Sequence, residues 1–164
     1  FIHEQTHSDA LVEEYIEGRE LYVGVLGNAR LKVLPVWEMT FGSLPENLPA
    51  IATRKVKWDR RYQQKYGIST AAAQDLPEGT VQRLEQLSKR IFRALHLSGY
   101  ARMDIRLRAD GQLFVLEANA NPNLSAFEDF AQSALTAGID YDELLRRIIK
   151  LGANYPAAWR ADQS

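Results

Sequence analysis

The chain has no cysteine among its 164 residues. That excludes disulfides and thiolate zinc sites and leaves the cytoplasm as the default compartment. It has no apolar run of membrane-spanning length, so no membrane partner is expected. It has no excess of either charge: 20 lysines and arginines face 21 aspartates and glutamates, for a formal net charge of −1. A global basic field that would draw nucleic acid is therefore absent. There is no glycine-rich phosphate cradle, since Gly27-Asn28 reads as a turn. There is no internal repeat or low-complexity tract. The opening residues, Phe1-Ile2-His3-Glu4-Gln5, resemble neither a signal peptide nor a natural start, and a segment of a longer protein is expected.

What is present is one domain's length with ordinary apolar and charged fractions, enough for a hydrophobic core. Residues 11–16 alternate weakly and predict a strand, which Gly18 ends. Residues 21–26 and 31–37 predict two strands of a hairpin around Gly27-Asn28. Residues 42–50 read as loop, and residues 53–75, polar, basic and aromatic without a clean period, as a long loop. Val81, Leu84, Leu87, Ile91, Phe92 and Leu95 recur at helical spacing over 80–97. Strands are expected over 101–108 and 112–119. Ser125 with Glu128 three residues on predicts a capping box and a helix ending at Gly138. Asp140 and Glu143 open a last helix with Leu144, Leu145, Ile148 and Ile149 as its stripe, stopped by Gly152. The order predicts an α+β fold with a mainly antiparallel sheet packed with helices. The domain is expected over 1–152, with a frayed tail over 153–164.

The most informative stretch is Arg102-Met103-Asp104-Ile105-Arg106-Leu107, then Leu113-Phe114-Val115-Leu116-Glu117-Ala118-Asn119. Asp110-Gly111 between them is a strong hairpin signal. With those two as the turn, Ala109 faces Gln112, Asp104 faces Glu117 and Arg102 faces Asn119. These four side chains then share one sheet face, and Met103, Ile105 and Leu107 take the core face. Opposed carboxylates repel, so something must offset them. An all-oxygen set suits magnesium, which binds through one or two carboxylates together with phosphates. A neighbouring arginine can stabilise developing negative charge. Alternatively, Arg102 and Arg106 neutralise the carboxylates in a solvated network, and spacing alone leaves both readings open.

At these residues the sequence resembles a known family. Gly-Tyr-Ala-Arg102-Met-Asp104 and Leu-Glu117-Ala-Asn119-Ala-Asn-Pro122 are similar to the C-terminal part of D-alanine–D-alanine ligases and their ATP-grasp relatives. Glu13-Glu14-Tyr15-Ile16-Glu17-Gly18-Arg19-Glu20-Leu21 resembles that family's adenine hinge and ribose-binding glutamate. The resemblance implies an ATP-grasp C-terminal subdomain of a carboxylate–amine ligase, with upstream domains outside this chain. It implies that Glu13, Glu14, Tyr15 and Ile16 border adenine and that Glu20 binds ribose. Asp104, Glu117 and Asn119 would hold magnesium, two ions in number (manganese can substitute), bridging ATP phosphates. Arg102 would steady the acyl phosphate. Lys57 beside Trp58 would contact phosphate, with Lys55 as the rival. Small carboxylate and amine or amino-acid substrates are expected, and a homodimer is compatible with the family.

Two positions depart from the family pattern. Pro122-Asn123 stands where proline–glycine is usual, and Glu128 where a serine meets the acceptor's carboxylate. A carboxylate there would repel that group, so an acceptor other than D-alanine is expected. Without the clamp's other half the chain is not expected to catalyse ligation alone. A nucleotide-binding regulatory module without turnover, and a non-catalytic scaffold with arginine-paired carboxylates, are the competing readings.

Overall fold

The computed structural model describes every residue except 46, 47, 49 and 156–164. Residues 46, 47 and 49 of the loop expected over 42–50 and most of the tail expected over 153–164 lie outside the described residues. A short helix α1 (Ile2–Thr6) precedes strands β1 (Arg19–Leu26), β2 (Lys32–Val33) and β3 (Trp37–Thr40). Helices α2 (Arg54–Trp58) and α3 (Arg60–Tyr66) lead into β4 (Ser69–Ala72), and then come α4 (Thr80–Ala94), β5 (Tyr100–Leu107) and β6 (Leu113–Asn119). Helices α5 (Asp129–Thr136) and α6 (Tyr141–Ala153) close the described chain. The strands form one antiparallel sheet in the order β4-β3-β1-β5-β6, with β2 also paired to β1. This is the α+β architecture the sequence predicts. Among the described residues no helix is long and apolar enough to cross a membrane.

The two sheet faces have different partners. Leu21, Val23, Val25, Met103, Ile105 and Leu107 are buried on the back face with Leu84 and Phe92 of α4. The alternation of both central strands therefore places Met103, Ile105 and Leu107 in the core as expected. On the front face Tyr22, Trp37 and Met39 pack with Val56 of α2, and Leu26 and Leu34 pack with Phe130 of α5. Gly24 makes this second contact close. A Cβ there would lie 2.8 Å from Leu34 and 3.0 Å from the Phe130 ring. The stretch of front face between α2 and α5 belongs to Tyr22, Arg102 and Asp104.

Several expectations need correction. Residues 11–16 form no strand: they run outside the sheet, with Leu11 and Val12 exposed. The strand expected over 31–37 breaks at Leu34-Pro35-Val36 into β2 and β3, because proline cannot donate to the ladder. The loop expected over 53–75 is α2, α3 and β4. Thr53 caps α2, the Asp59 carboxylate accepts from the backbone N–H groups of Arg61 and Tyr62, and Gly67 ends α3 in the left-handed region. Helices of five and seven residues are too short to show a helical period.

Ser125 caps no helix. Its N–H and hydroxyl both donate to the Asn123 side-chain oxygen, and α5 begins at Asp129 with Glu128 as N-cap. In α6, Asp140 caps as expected by accepting from the Glu143 N–H, and Leu144 is buried, but Ile149 is 71% exposed.

Candidate functional site

β1 carries Glu20 onto the front face, directly opposite Arg106 of β5. Both are buried. The Arg106 guanidinium donates to one Glu20 oxygen at 2.7 Å, and the Tyr22 hydroxyl donates to the other at 2.8 Å. Arg106 also donates to the Gly18 carbonyl at 2.9 Å and to the Ala50 carbonyl, so it ties β1 to the chain before α2. Burial and the neighbouring Glu20 charge push the Tyr22 phenol above its ordinary range, which keeps it a donor. The Arg106 guanidinium also lies 5.8 Å from the centroid of the Tyr15 ring.

Two residues along, Asp104 pairs with Glu117 and Arg102 with Asn119 across β5 and β6. Arg102 grips Asp104 with two bonds of 2.7 and 2.8 Å and stacks 4.5 Å from the Tyr22 ring centroid. Its remaining terminal nitrogen approaches Asp129 at 3.7 Å. Burial opposes the charge on Arg102, but the Asp104 carboxylate outweighs it and its pKa stands above the ordinary value. Asp129 is displaced upward: burial dominates, against the pull of Thr70 and Arg102. Glu117 is exposed, and the Asn119 side-chain oxygen accepts from the Asn121 N–H at 2.9 Å. Arginine pairing is thus real at Asp104. Arg106, however, pairs with Glu20 and not with the hairpin carboxylates.

Two clefts open over this face. One, about 370 Å³, is bordered by Glu13, Glu14, Tyr15, Ile16, Glu20 and Lys57, with Asp104 and Glu117 at its far side. The other, about 530 Å³, is bordered by Arg102, Asn119, Trp58 and the start of α5. Lys57 borders both, and Lys55 borders neither. The residues singled out from sequence therefore gather around two adjoining clefts on one face. Among the described residues no group of three histidines, cysteines, aspartates or glutamates could hold a metal. A cation here would rely on Asp104 and Glu117, an amide oxygen and ligands from outside the protein. That donor set fits magnesium, which keeps water and phosphate oxygens in its shell.

Residues 3–150 match the family described as D-ala D-ala ligase C-terminus. The chain belongs to that family. A D-alanine–D-alanine ligase A of Mesorhizobium japonicum is 32% identical over 145 residues, covering 87% of this chain and 38% of the relative. An uncharacterized protein of Sinorhizobium fredii, y4sG, is 36% identical over 141 residues, covering 86% of this chain and 40% of the relative. This chain thus spans about two fifths of the length of these relatives. Among solved structures, the D-alanine–D-alanine ligase of Bacillus anthracis complexed with ATP shares the fold, with a TM-score of 0.66 at 24% identity over 93% of this chain and 42% of that one. The VanG D-Ala:D-Ser ligase of Enterococcus faecalis does so at a TM-score of 0.64 and 21% identity, over 85% and 37%.

In this D-ala D-ala ligase C-terminus domain, sequence reasoning missed several contributors, among them Asp129 at the start of α5. Tyr22 lies two residues beyond Glu20 on the same strand face, and period-two alternation alone could have placed it beside that carboxylate. Ile51 and Leu116 border the smaller cleft. Ile51 sits in an irregular segment with no periodic signal. Leu116 belongs to the one irregularity of the β5–β6 pair, which breaks the alternation that would have located it.

Proposed function

We propose that this chain is the ATP- and magnesium-binding part of a carboxylate–amine ligase. The observation that carries the reading is the convergence of Glu20, Lys57, Asp104 and Glu117 on a single cleft, with Arg102 and Asn119 at its continuation. In the overall reaction a carboxylate oxygen attacks the terminal phosphorus of ATP, giving an acyl phosphate and ADP. An amine then attacks the acyl carbon, the C–O bond to phosphate breaks, and the nitrogen loses a proton. The products are an amide, ADP and phosphate. More than half the length of the curated relatives lies outside the matched region, and we place the second wall of the ATP clamp in sequence of that kind, so this chain is inactive alone.

The smaller cleft suits a nucleoside. Tyr15, Ile16 and Leu116 offer apolar surface to a base, and Glu13 and Glu14 bring the backbone that would read its edge. Glu20 would accept from ribose hydroxyls. A carboxylate has about four lone-pair directions, and the bonds from Arg106 and Tyr22 use two of them. Lys57 would meet phosphate at the junction of the clefts. Asp104, Glu117 and Asn119 would hold magnesium, which supplies neutralisation of phosphate charge when bound. Arg102 is fixed by Asp104 and Tyr22, so its remaining terminal nitrogen, 3.7 Å from Asp129, faces the larger cleft. There it would stabilise the acyl phosphate and the tetrahedral intermediate.

Calorimetric titration with ADP, with and without magnesium, tests the reading. Binding should require magnesium, and Glu117→Ala should weaken it at least about tenfold, or about 1.4 kcal/mol. Equal binding by both proteins would remove the metal assignment. Absence of magnesium-dependent ADP binding to the wild type would remove the whole reading.

A further inference from the structure

A third cavity lies at the other end of β1 and shares no bordering residue with the two clefts. It measures about 270 Å³ and sits between the end of β1, β2 and the last turns of α6. Its apolar wall is Leu26, Gly27 and Leu151. Leu26 is six residues along the strand from Glu20, about 20 Å at strand rise. Hydrogen bonds hold this wall in place. The Asn28 side chain donates to the Leu151 carbonyl at 3.1 Å and accepts from the Gly99 N–H at 2.8 Å. The Gly27 N–H donates to the Gly99 carbonyl at 2.8 Å. The β1–β2 turn is thus tied both to α6 and to the chain entering β5, so the cavity is preformed.

Three cations from two elements border it: Lys32 of β2, and Arg147 and Lys150 of α6. No carboxylate does. Arg147 is paired with Glu143 at 2.7 Å, but among the described residues Lys32 and Lys150 take part in no ion pair. The helix dipole favours a cation in the last turn of α6, which accounts for Lys150. It does not account for Lys32, which brings a like charge to the same cavity from a strand. The helix-end carbonyls that would repel an anion are engaged. That of Leu151 accepts from Asn28, and that of Lys150 accepts from the backbone and side-chain amides of Asn154.

We propose that this cavity binds a small amphiphilic anion. Its carboxylate or phosphate head lies among Lys32, Arg147 and Lys150, and its short alkyl tail lies against Leu26 and Leu151. The stems of the two lysines are apolar and extend the surface that the tail meets. Sites for drug-sized ligands start at about 300 Å³, so the occupant is smaller than those. The assignment stands apart from the ligase reading, because none of its residues borders the nucleotide or metal clefts.

The test is titration of hexanoate and of hexyl phosphate into the isotope-labelled protein without nucleotide, followed by amide shifts in nuclear magnetic resonance. Both should bind, with shifts clustered at Gly27, Lys32, Leu151 and Asn154. Butanoate lacks two of the methylenes of hexanoate and should bind about tenfold more weakly. Hexanol, which has the tail without the charge, should bind at least about tenfold more weakly than either anion. Lys32 and Lys150 are exposed, so Lys32→Gln/Lys150→Gln should melt like the wild type and lose about tenfold in affinity for both anions. If the double variant melts early, Lys32→Gln alone carries the test, with a loss of about threefold. The proposal is overturned if neither anion binds, if the shifts fall at the clefts, or if the folded variant binds as the wild type does. Equal affinity for hexanol and hexanoate would leave only an apolar groove, and equal affinity for butanoate and hexanoate only a charged surface. Either result would overturn it too.

Discussion

Glu20 is a buried carboxylate that survives because two donors reach it. A buried ion pair of this kind adds little net stability over an apolar pair, yet breaking it strands a charge in the interior. Arg106→Met should therefore destabilise the protein by about 3–5 kcal/mol in urea unfolding. Adding Glu20→Leu to Arg106→Met should recover most of that loss, since the stranded charge is gone. If the double variant were as unstable as Arg106→Met alone, the cost would lie in the arginine's bonds to Gly18 and Ala50 and not in the pair. The same logic explains what was legible at this scale. Glu20, Asp104, Glu117, Asn119 and Arg102 could be picked out because unusual polar groups recur on one strand face. Their partners could not, since the choice between Asp104 and Glu20 as the mate of Arg106 depends on which strand lies beside β5.

The β5–β6 hairpin shows how a register can be right for an incomplete reason. A two-residue turn at Asp110-Gly111 predicts that Asp104 faces Glu117, and it does. The turn, however, is a residue longer: Arg108 faces Gln112, donating its N–H to the Gln112 carbonyl, and Ile105 faces Val115. A register shift between Asp104 and Ile105 then takes up Leu116 as an extra residue and restores the expected pairing. The longer turn and the bulge cancel, and only the second puts Leu116 beside Glu117 in the cleft. Gly111 is held at φ 82°, with open space where a Cβ would stand. Gly111→Ala should therefore cost only backbone strain, about 1–2 kcal/mol in urea unfolding. Because the bulge lies between the turn and the carboxylates, magnesium-dependent ADP affinity should be unchanged in calorimetry. A drop in affinity would mean that the turn, and not the bulge, sets the register at Asp104. Helices α2 and α3 were illegible for the opposite reason: their caps, Thr53, Asp59 and Gly67, are plain in the sequence, but neither helix is long enough to declare a face.

At the scale of the whole molecule, one sheet face is closed by α4 and the other is left open between α2 and α5. Two aspartates at the ends of that design titrate in opposite senses. Asp129 is sunk at the start of α5, and burial raises its pKa above the ordinary 3.8. A carboxyl raised on folding holds its proton more tightly in the native state. Its contribution therefore favours the fold below 3.8 and is lost as the pH rises through the raised native value. Asp110, exposed at the hairpin tip, is held down to about 2 by Arg108 and the Gln112 N–H. Its contribution is present above 3.8 and is lost as the pH falls through about 2, and salt screens it. Asp129→Asn should accordingly be more stable than wild type at about pH 7, with the gap closing toward about pH 3. Asp110→Asn should be less stable at neutral pH, with its gap closing only at the acid end and shrinking in high salt. Urea unfolding across that pH range reads both. A gap for Asp129→Asn that stayed constant with pH would mean that its effect comes from lost contacts with Thr70 and Arg102 and not from a buried charge. In that case the start of α5 would be a packing joint, and Asp129 would titrate there as an ordinary carboxyl.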